Sequence, residues 1–153
     1  MGVIEKFKES FKENIKEIKE FRGEITIYIE KEKIVEALKF LKNEGFNFLT
    51  DITAVDHPER DLRFEVVYQL YSIKSGERLR IKTLLSEKEP VLPSITVIWS
   101  GANWLERELY DMFGIKFKGH PNLERILLWN GFPGHPLRKD FPLRKDIPLP
   151  EAE

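Results

Sequence analysis

Apolar residues recur at steps of three and four through the start of the chain: Ile4, Phe7, Phe11, Ile15, Ile18 and Phe21. That is the period of one helical face, and it predicts an amphipathic N-terminal helix over residues 3–22, stopped by Arg22-Gly23. Such a helix either docks on the rest of the domain or serves a partner. From 24 to 30 the period becomes two, with Ile25, Ile27 and Ile29 alternating against Thr26, Tyr28 and Glu30. This is the pattern of a half-buried strand. Helical spacing returns over 31–44 through Ile34, Leu38 and Leu41, and Gly45 supplies the stop. A second strand is predicted over 46–53. Strand, helix and strand joined by short loops imply a right-handed crossover between parallel strands.

Residues 62–73 and 78–85 read as a strand pair around Lys74-Ser75-Gly76-Glu77, an antiparallel hairpin. Residues 89–93 form a breaker segment, and a short strand is predicted over 95–99. A further helix begins near Asn103, which is placed to cap it with Glu106 as the reciprocal capping-box partner. Leu105, Leu109 and Met112 form its buried stripe and Gly114 ends it. The sum is one α+β domain: a small mixed β-sheet packed by helices. Its parts are an N-terminal helix (1–22), a core (23–130) and an extended tail (131–153).

The tail holds five of the nine prolines, so it is neither helix nor central strand. It also repeats: Pro136-Leu137-Arg138-Lys139-Asp140-Phe141 is followed by Pro142-Leu143-Arg144-Lys145-Asp146-Ile147. In a polyproline helix of three residues per turn, a six-residue repeat returns each residue type to the same edge. A lone tail buries too little to offset the entropy of ordering it. It is expected to order against a partner surface or against its own domain.

Composition narrows the chemistry. With 153 residues and 41% hydrophobic content, the chain can build an ordinary core. A net charge of −1 gives no bulk attraction to nucleic acid or membrane. There is no cysteine, so no disulfide, thiol nucleophile or thiolate-ligated iron–sulfur cluster can belong to this chain. No apolar run approaches membrane-spanning length. The Lys/Glu-rich, cysteine-free composition is a tendency of hyperthermophile proteins.

Candidate chemistry is thin. His57, His120 and His135 form no two-histidine metal spacing, and a zinc site would need carboxylates from elsewhere. Asp51, Asp56 and His57 cluster at a predicted strand end, where acid/base work competes with a polar turn. Glu106, Arg107, Glu108 and Asp111 share one short helix, with Arg107 and Asp111 at i,i+4. That pattern suits an ion-pair network at a contact, and equally a carboxylate active site. The Arg138-Lys139 and Arg144-Lys145 pairs are each followed by Asp, which argues against nucleic acid. No phosphate loop is present: Gly131-Phe132-Pro133-Gly134 lacks the Lys and helix that would follow.

Several separated motifs carry a resemblance: Asp51-Ile52-Thr53-Ala54-Val55-Asp56, Val66-Val67-Tyr68-Gln69-Leu70, Ser94-Ile95-Thr96 with Gly101-Ala102-Asn103-Trp104, Glu106-Arg107-Glu108 through Asp111-Met112-Phe113, His120, and Gly134 to Leu143. Together they resemble the 30 kDa subunit of respiratory NADH:quinone oxidoreductase, complex I, a family shared with membrane-bound hydrogenases. The chain departs from that pattern at Glu124, where the family usually has a basic residue, and it is shorter than many relatives.

The resemblance implies a non-catalytic scaffold subunit of a hydrophilic arm, with no cofactor of its own. It would pack against a large quinone-site or nickel–iron-hydrogenase-like subunit and near a small iron–sulfur subunit, peripheral on the cytoplasmic side of the membrane. Iron–sulfur clusters, and a nickel–iron centre or quinone, would lie in those partners. The resemblance makes Glu106, Arg107, Glu108, Asp111, His120 and His135 contact-setting residues. It makes Arg138, Lys139, Asp140, Phe141 and Arg144 anchors of the tail. Three complexes fit: NADH dehydrogenase, ferredoxin-linked hydrogenase and sulfur reductase. The rival is a free-standing acid/base enzyme using Glu106, Glu108 and His57.

Overall fold

A computed structural model of the chain describes residues 2–142. The first helix is shorter than its periodicity predicts. α1 spans Val3–Ser10, a turn follows, and Ile15–Phe21 is strand β1, paired antiparallel with β2 (Glu24–Ile29). Glu/Lys-rich sequence with sparse isoleucines fits either element, and tertiary pairing with β2 decides it. Arg22 and Gly23 both take positive φ (52° and 81°), so the dipeptide closes a hairpin rather than stopping a helix. The helical spacing is real up to Phe11: Phe7 and Phe11 stack at 4.8 Å and both meet Phe40 of α2 (Ile34–Asn43).

β3 (Phe48–Asp56), β4 (Phe64–Tyr71) and β5 (Arg78–Leu85) complete a five-stranded sheet of order β1-β2-β5-β4-β3. β2 and β5 run parallel, and the other neighbours are antiparallel. β2 and β3 therefore point the same way, as the crossover predicts, but the β4–β5 hairpin is inserted between them. Ile27, Ile81, Tyr68 and Ile52 stand in one row across four strands. All four are buried, and they face the helices. Fully burying a side chain of this size contributes on the order of 1.5–3 kcal/mol.

The strand expected over 95–99 is absent. β6 is instead Val91–Pro93, inside the predicted breaker, and pairs in parallel with β7 (Lys116–Lys118). Pro93 is tolerated because this two-stranded ribbon leaves it at an edge. Residues 94–99 turn: Glu106 takes the Ile95 N–H and Lys42 the Ile98 carbonyl, while the Ile98 and Trp99 N–H groups return to the Ile95 carbonyl. α3 (Ala102–Phe113) follows, with Gly101 as N-cap and no side-chain cap. Asn103 lies inside the helix, so the capping box with Glu106 does not form. Ala102, Glu106, Leu109 and Phe113 make the sheet-facing stripe, and Leu105 is only partly buried.

Candidate functional site

The first cluster of candidate residues is carried by α3. Its inner face seats Glu106, fully enclosed, with Oε1 accepting from Ser94 Oγ at 2.6 Å and Oε2 from the Ile95 N–H at 3.2 Å. Burial without a cation pushes its carboxyl up to about 7.

Asp111 is about 140° further round the helix, on the side away from the sheet. It is nevertheless fully buried, because residues 124–137 wrap over it. Arg125 donates to Asp111 Oδ1 at 2.7 Å, and the N–H groups of Ile126, Leu127 and Leu128 donate to Oδ2. Burial opposes ionisation there, but Arg125 and the three amides hold the carboxyl below its ordinary value. The i,i+4 partnership of Arg107 and Asp111 does not form. Arg107 donates to the carbonyls of Glu124 and Arg125 and lies over the Trp104 ring.

Arg125 ties α3 to the tail. Its Nη2 donates to the Phe132 and Gly134 carbonyls, both at 2.9 Å. His135 Nδ1–H donates to the Asp111 carbonyl at 3.0 Å, and burial keeps that imidazole below its usual pKa. The Leu137 N–H reaches the Met112 carbonyl, and Arg138 Nε the Phe113 carbonyl at 2.6 Å. Gly114, at φ 79°, closes α3 beneath them. A Cβ there would stand 2.8 Å from the His135 ring.

A second clasp lies at the end of β3. Arg63, 4% exposed, grips Asp56 through two bonds of 2.6 and 2.8 Å and also reaches Glu87 and Asp140. Arg63 first, against the cost of burial, holds the Asp56 carboxyl low. The Lys139 N–H donates to Asp56 Oδ2 at 2.7 Å, and Phe141 stacks on Phe132. The tail is thus ordered against its own domain up to Pro142. Arg144 and the second copy of the repeat lie outside the described residues.

The other candidates separate. Glu108 is exposed. His57 contacts Glu65 at 3.3 Å and Glu59 at 3.7 Å. Asp51 accepts from the Ile52 N–H. His120 accepts from the Asn122 N–H on Nδ1, so its Nε2–H donates to the Asn103 carbonyl. The acids of α3 therefore point three ways and make no shared pocket. Surface hollows of ≈330 Å³ beside Val3, Phe46 and Ser72 and of ≈130 Å³ beside Tyr28 and Thr83 include neither His57 nor an α3 carboxylate. Among the described residues no three His, Asp or Glu converge as metal ligands.

Sequence reasoning missed Arg63, Ser94 and the part played by Arg125. Arg63 had a signal, since an antiparallel turn after Asp56 brings the chain back with Phe64 opposite Asp56 and Arg63 one residue before it. Arg125 had one as well. The resemblance leads one to expect a basic residue at 124, and Arg125, one position on, makes the contact with Asp111.

The fold is a small α+β domain whose C-terminal segment is clasped onto α3 and the end of β3, and comparison places it. Residues 27–147 match the family described as respiratory-chain NADH dehydrogenase, 30 Kd subunit, and the chain belongs to that family. It is a complex I-type subunit of a multi-subunit respiratory oxidoreductase. It is 52% identical over 137 residues to an NADH-quinone oxidoreductase subunit of Geotalea uraniireducens, covering 89% of this chain and 84% of that one.

Among solved structures it resembles a trypsin-resistant fragment (1–134) of Nqo5, with TM-score 0.70, 36% identity, and 79% of this chain and 96% of that one covered. It also resembles a chain of a membrane-bound sulfane sulfur reductase, an archaeal respiratory membrane complex, with TM-score 0.80, 26% identity, and 92% and 84% covered. Among the described residues no helix is long and apolar enough to cross a membrane.

Proposed function

We propose that the chain is a non-catalytic scaffold of the hydrophilic arm of an NADH:quinone oxidoreductase. It packs against the large quinone-site subunit and beside the small iron–sulfur subunit on the cytoplasmic side of the membrane. It carries no cofactor, and holds the redox subunits in register so that electron-transfer distances are kept. One observation carries this reading: Glu106, Asp111, Arg125 and Arg138 spend their polar groups inside the chain, fixing α3 and the tail base instead of opening a substrate site. The exposed Trp104, Val97, Leu127 and Leu137 supply apolar surface for a partner.

The test is native purification through an N-terminal tag, comparing the full-length chain with one truncated after Pro142, which keeps both clasps. Co-purification of a large redox subunit, reduced by truncation, supports the scaffold. A clean monomer with its own activity, unchanged by truncation, sinks it. The likeness to the sulfane sulfur reductase chain favours a second reading, the equivalent subunit of a sulfur reductase or membrane-bound hydrogenase. Mass spectrometry of the large subunit separates the readings, because nickel-binding cysteines in it would decide for hydrogenase.

A further inference from the structure

Glu106 is fully enclosed and makes no ion pair among the described residues. A buried carboxylate normally has a cation or several donors to hold its charge. Glu106 has two neutral donors, the Ser94 hydroxyl and the Ile95 amide. The titratable group facing it from the sheet is the Tyr68 phenol of β4. That phenol is fully buried, has no hydrogen-bond partner among the described residues, and is pushed up by burial and then by the Glu106 charge. From α2, Lys42 approaches the same loop but spends its ammonium on the Ile98 carbonyl at 2.6 Å. From β7, Lys118 contributes a backbone carbonyl, to the Ser94 N–H. Among the described residues no cation therefore fixes Glu106 in its charged form.

The acid is also wired outward. Ser94 Oγ lies 2.6 Å from Glu106 Oε1 and 2.9 Å from Thr96 Oγ1, and Thr96 is partly exposed. These are proton-transfer distances. We propose that Glu106 is a buried proton-binding site that exchanges with solvent through the hydroxyls of Ser94 and Thr96. On uptake, Thr96 Oγ1 gains a proton from water and passes its own to Ser94 Oγ. Ser94 passes its original proton to Glu106 Oε1. One proton enters, each hydroxyl keeps one, and the chain's polarity is reversed.

The accounting closes in both states. With Glu106 ionised, Ser94 donates to it and accepts from the Thr96 hydroxyl and the Thr96 N–H. With Glu106 protonated, it donates to Ser94 and Ser94 donates to Thr96. The raised carboxyl value places the exchange in the neutral range.

The experiment is a pH titration of the full-length chain carrying 13C at glutamate Cδ, read by NMR. One carboxyl resonance should titrate near neutrality, and Glu106→Gln should remove it. Ser94→Ala should raise its midpoint by on the order of one unit, through loss of a bond to the charged form. Thr96→Val should keep the midpoint and slow the exchange, splitting one moving line into two. If Glu106→Gln does not fold, the Ser94→Ala shift makes the assignment. A chain in which no glutamate carboxyl titrates between about pH 6 and 8 overturns the site. A neutral-range resonance that Ser94→Ala leaves in place overturns its assignment to Glu106, and Thr96→Val exchange identical to wild type overturns the route.

Discussion

Asp111 and Arg125 meet at 2.7 Å on the side of α3 that looks away from the sheet, where Asp111 is fully buried and Arg125 partly buried. The pair joins helix to tail base, because the same guanidinium holds the Phe132 and Gly134 carbonyls. Removing one partner leaves an uncompensated buried charge, which typically costs about 3–5 kcal/mol. Asp111→Asn and Arg125→Met should each lower the urea midpoint strongly and expose Arg138 and Lys139 to trypsin. Loss of stability without new cleavage there would separate the pair from the tail.

Gly114 closes α3 at φ 79° with His135 overhead. Gly114→Ala combines left-handed strain, of order 1–3 kcal/mol, with a Cβ placed 2.8 Å from the imidazole. Gly119 has φ 86° and nothing within 4 Å, so Gly119→Ala carries the strain alone. Thermal unfolding should rank Gly114→Ala clearly below Gly119→Ala.

The two buried acids of α3 give opposite pH dependences. Glu106 is raised from 4.5 to about 7 in the fold, so the folded state binds the extra proton between those values. Its stabilising contribution is complete below about pH 4.5 and is lost as pH rises through 7, on the order of 3 kcal/mol in all. Asp111 is lowered, so its contribution is present above its ordinary value and lost as pH falls through the folded one. Urea titrations should show Glu106→Gln flattening the decline above pH 4.5. Asp111→Asn should flatten the acid limb instead.

Phe7 is fully buried, stacks on Phe11 and meets Phe40 at a tilt. Phe7→Ala should cost about 3–5 kcal/mol by cavity formation, measured by chemical denaturation. A near-neutral result would mark α1 as an appendage held for a partner.

Strands with clean alternation were legible: β2 and β5 fall where period two places them. The region 11–22 was not, because lysine–glutamate sequence with an isoleucine every third or fourth residue suits an exposed edge strand as well as a helix. Only pairing with Glu24–Ile29 distinguishes them. The 89–99 segment failed for a different reason. Glu106, far along the chain, takes the Ile95 amide and the Ser94 hydroxyl, so Ile95–Trp99 turns although its residues favour a strand.

The α3 motif was visible as a string of charges, but their directions were not. An i,i+4 rule pairs Arg107 with Asp111, whereas a partner fourteen residues on, Arg125, outcompetes it through two bonds to Asp111 and two to the tail. The tail's own-domain alternative was open in the sequence. Asp56, Arg63 and Asp140 realise it up to Pro142.

The central claim is that this chain contributes position and no chemistry. The most direct measurement is electron-transfer turnover per assembled complex, with Glu108→Gln or His57→Asn in the tagged chain. The account predicts turnover per complex equal to wild type, with any loss confined to the amount of complex recovered. Fully assembled complex whose turnover is abolished by either substitution would contradict it.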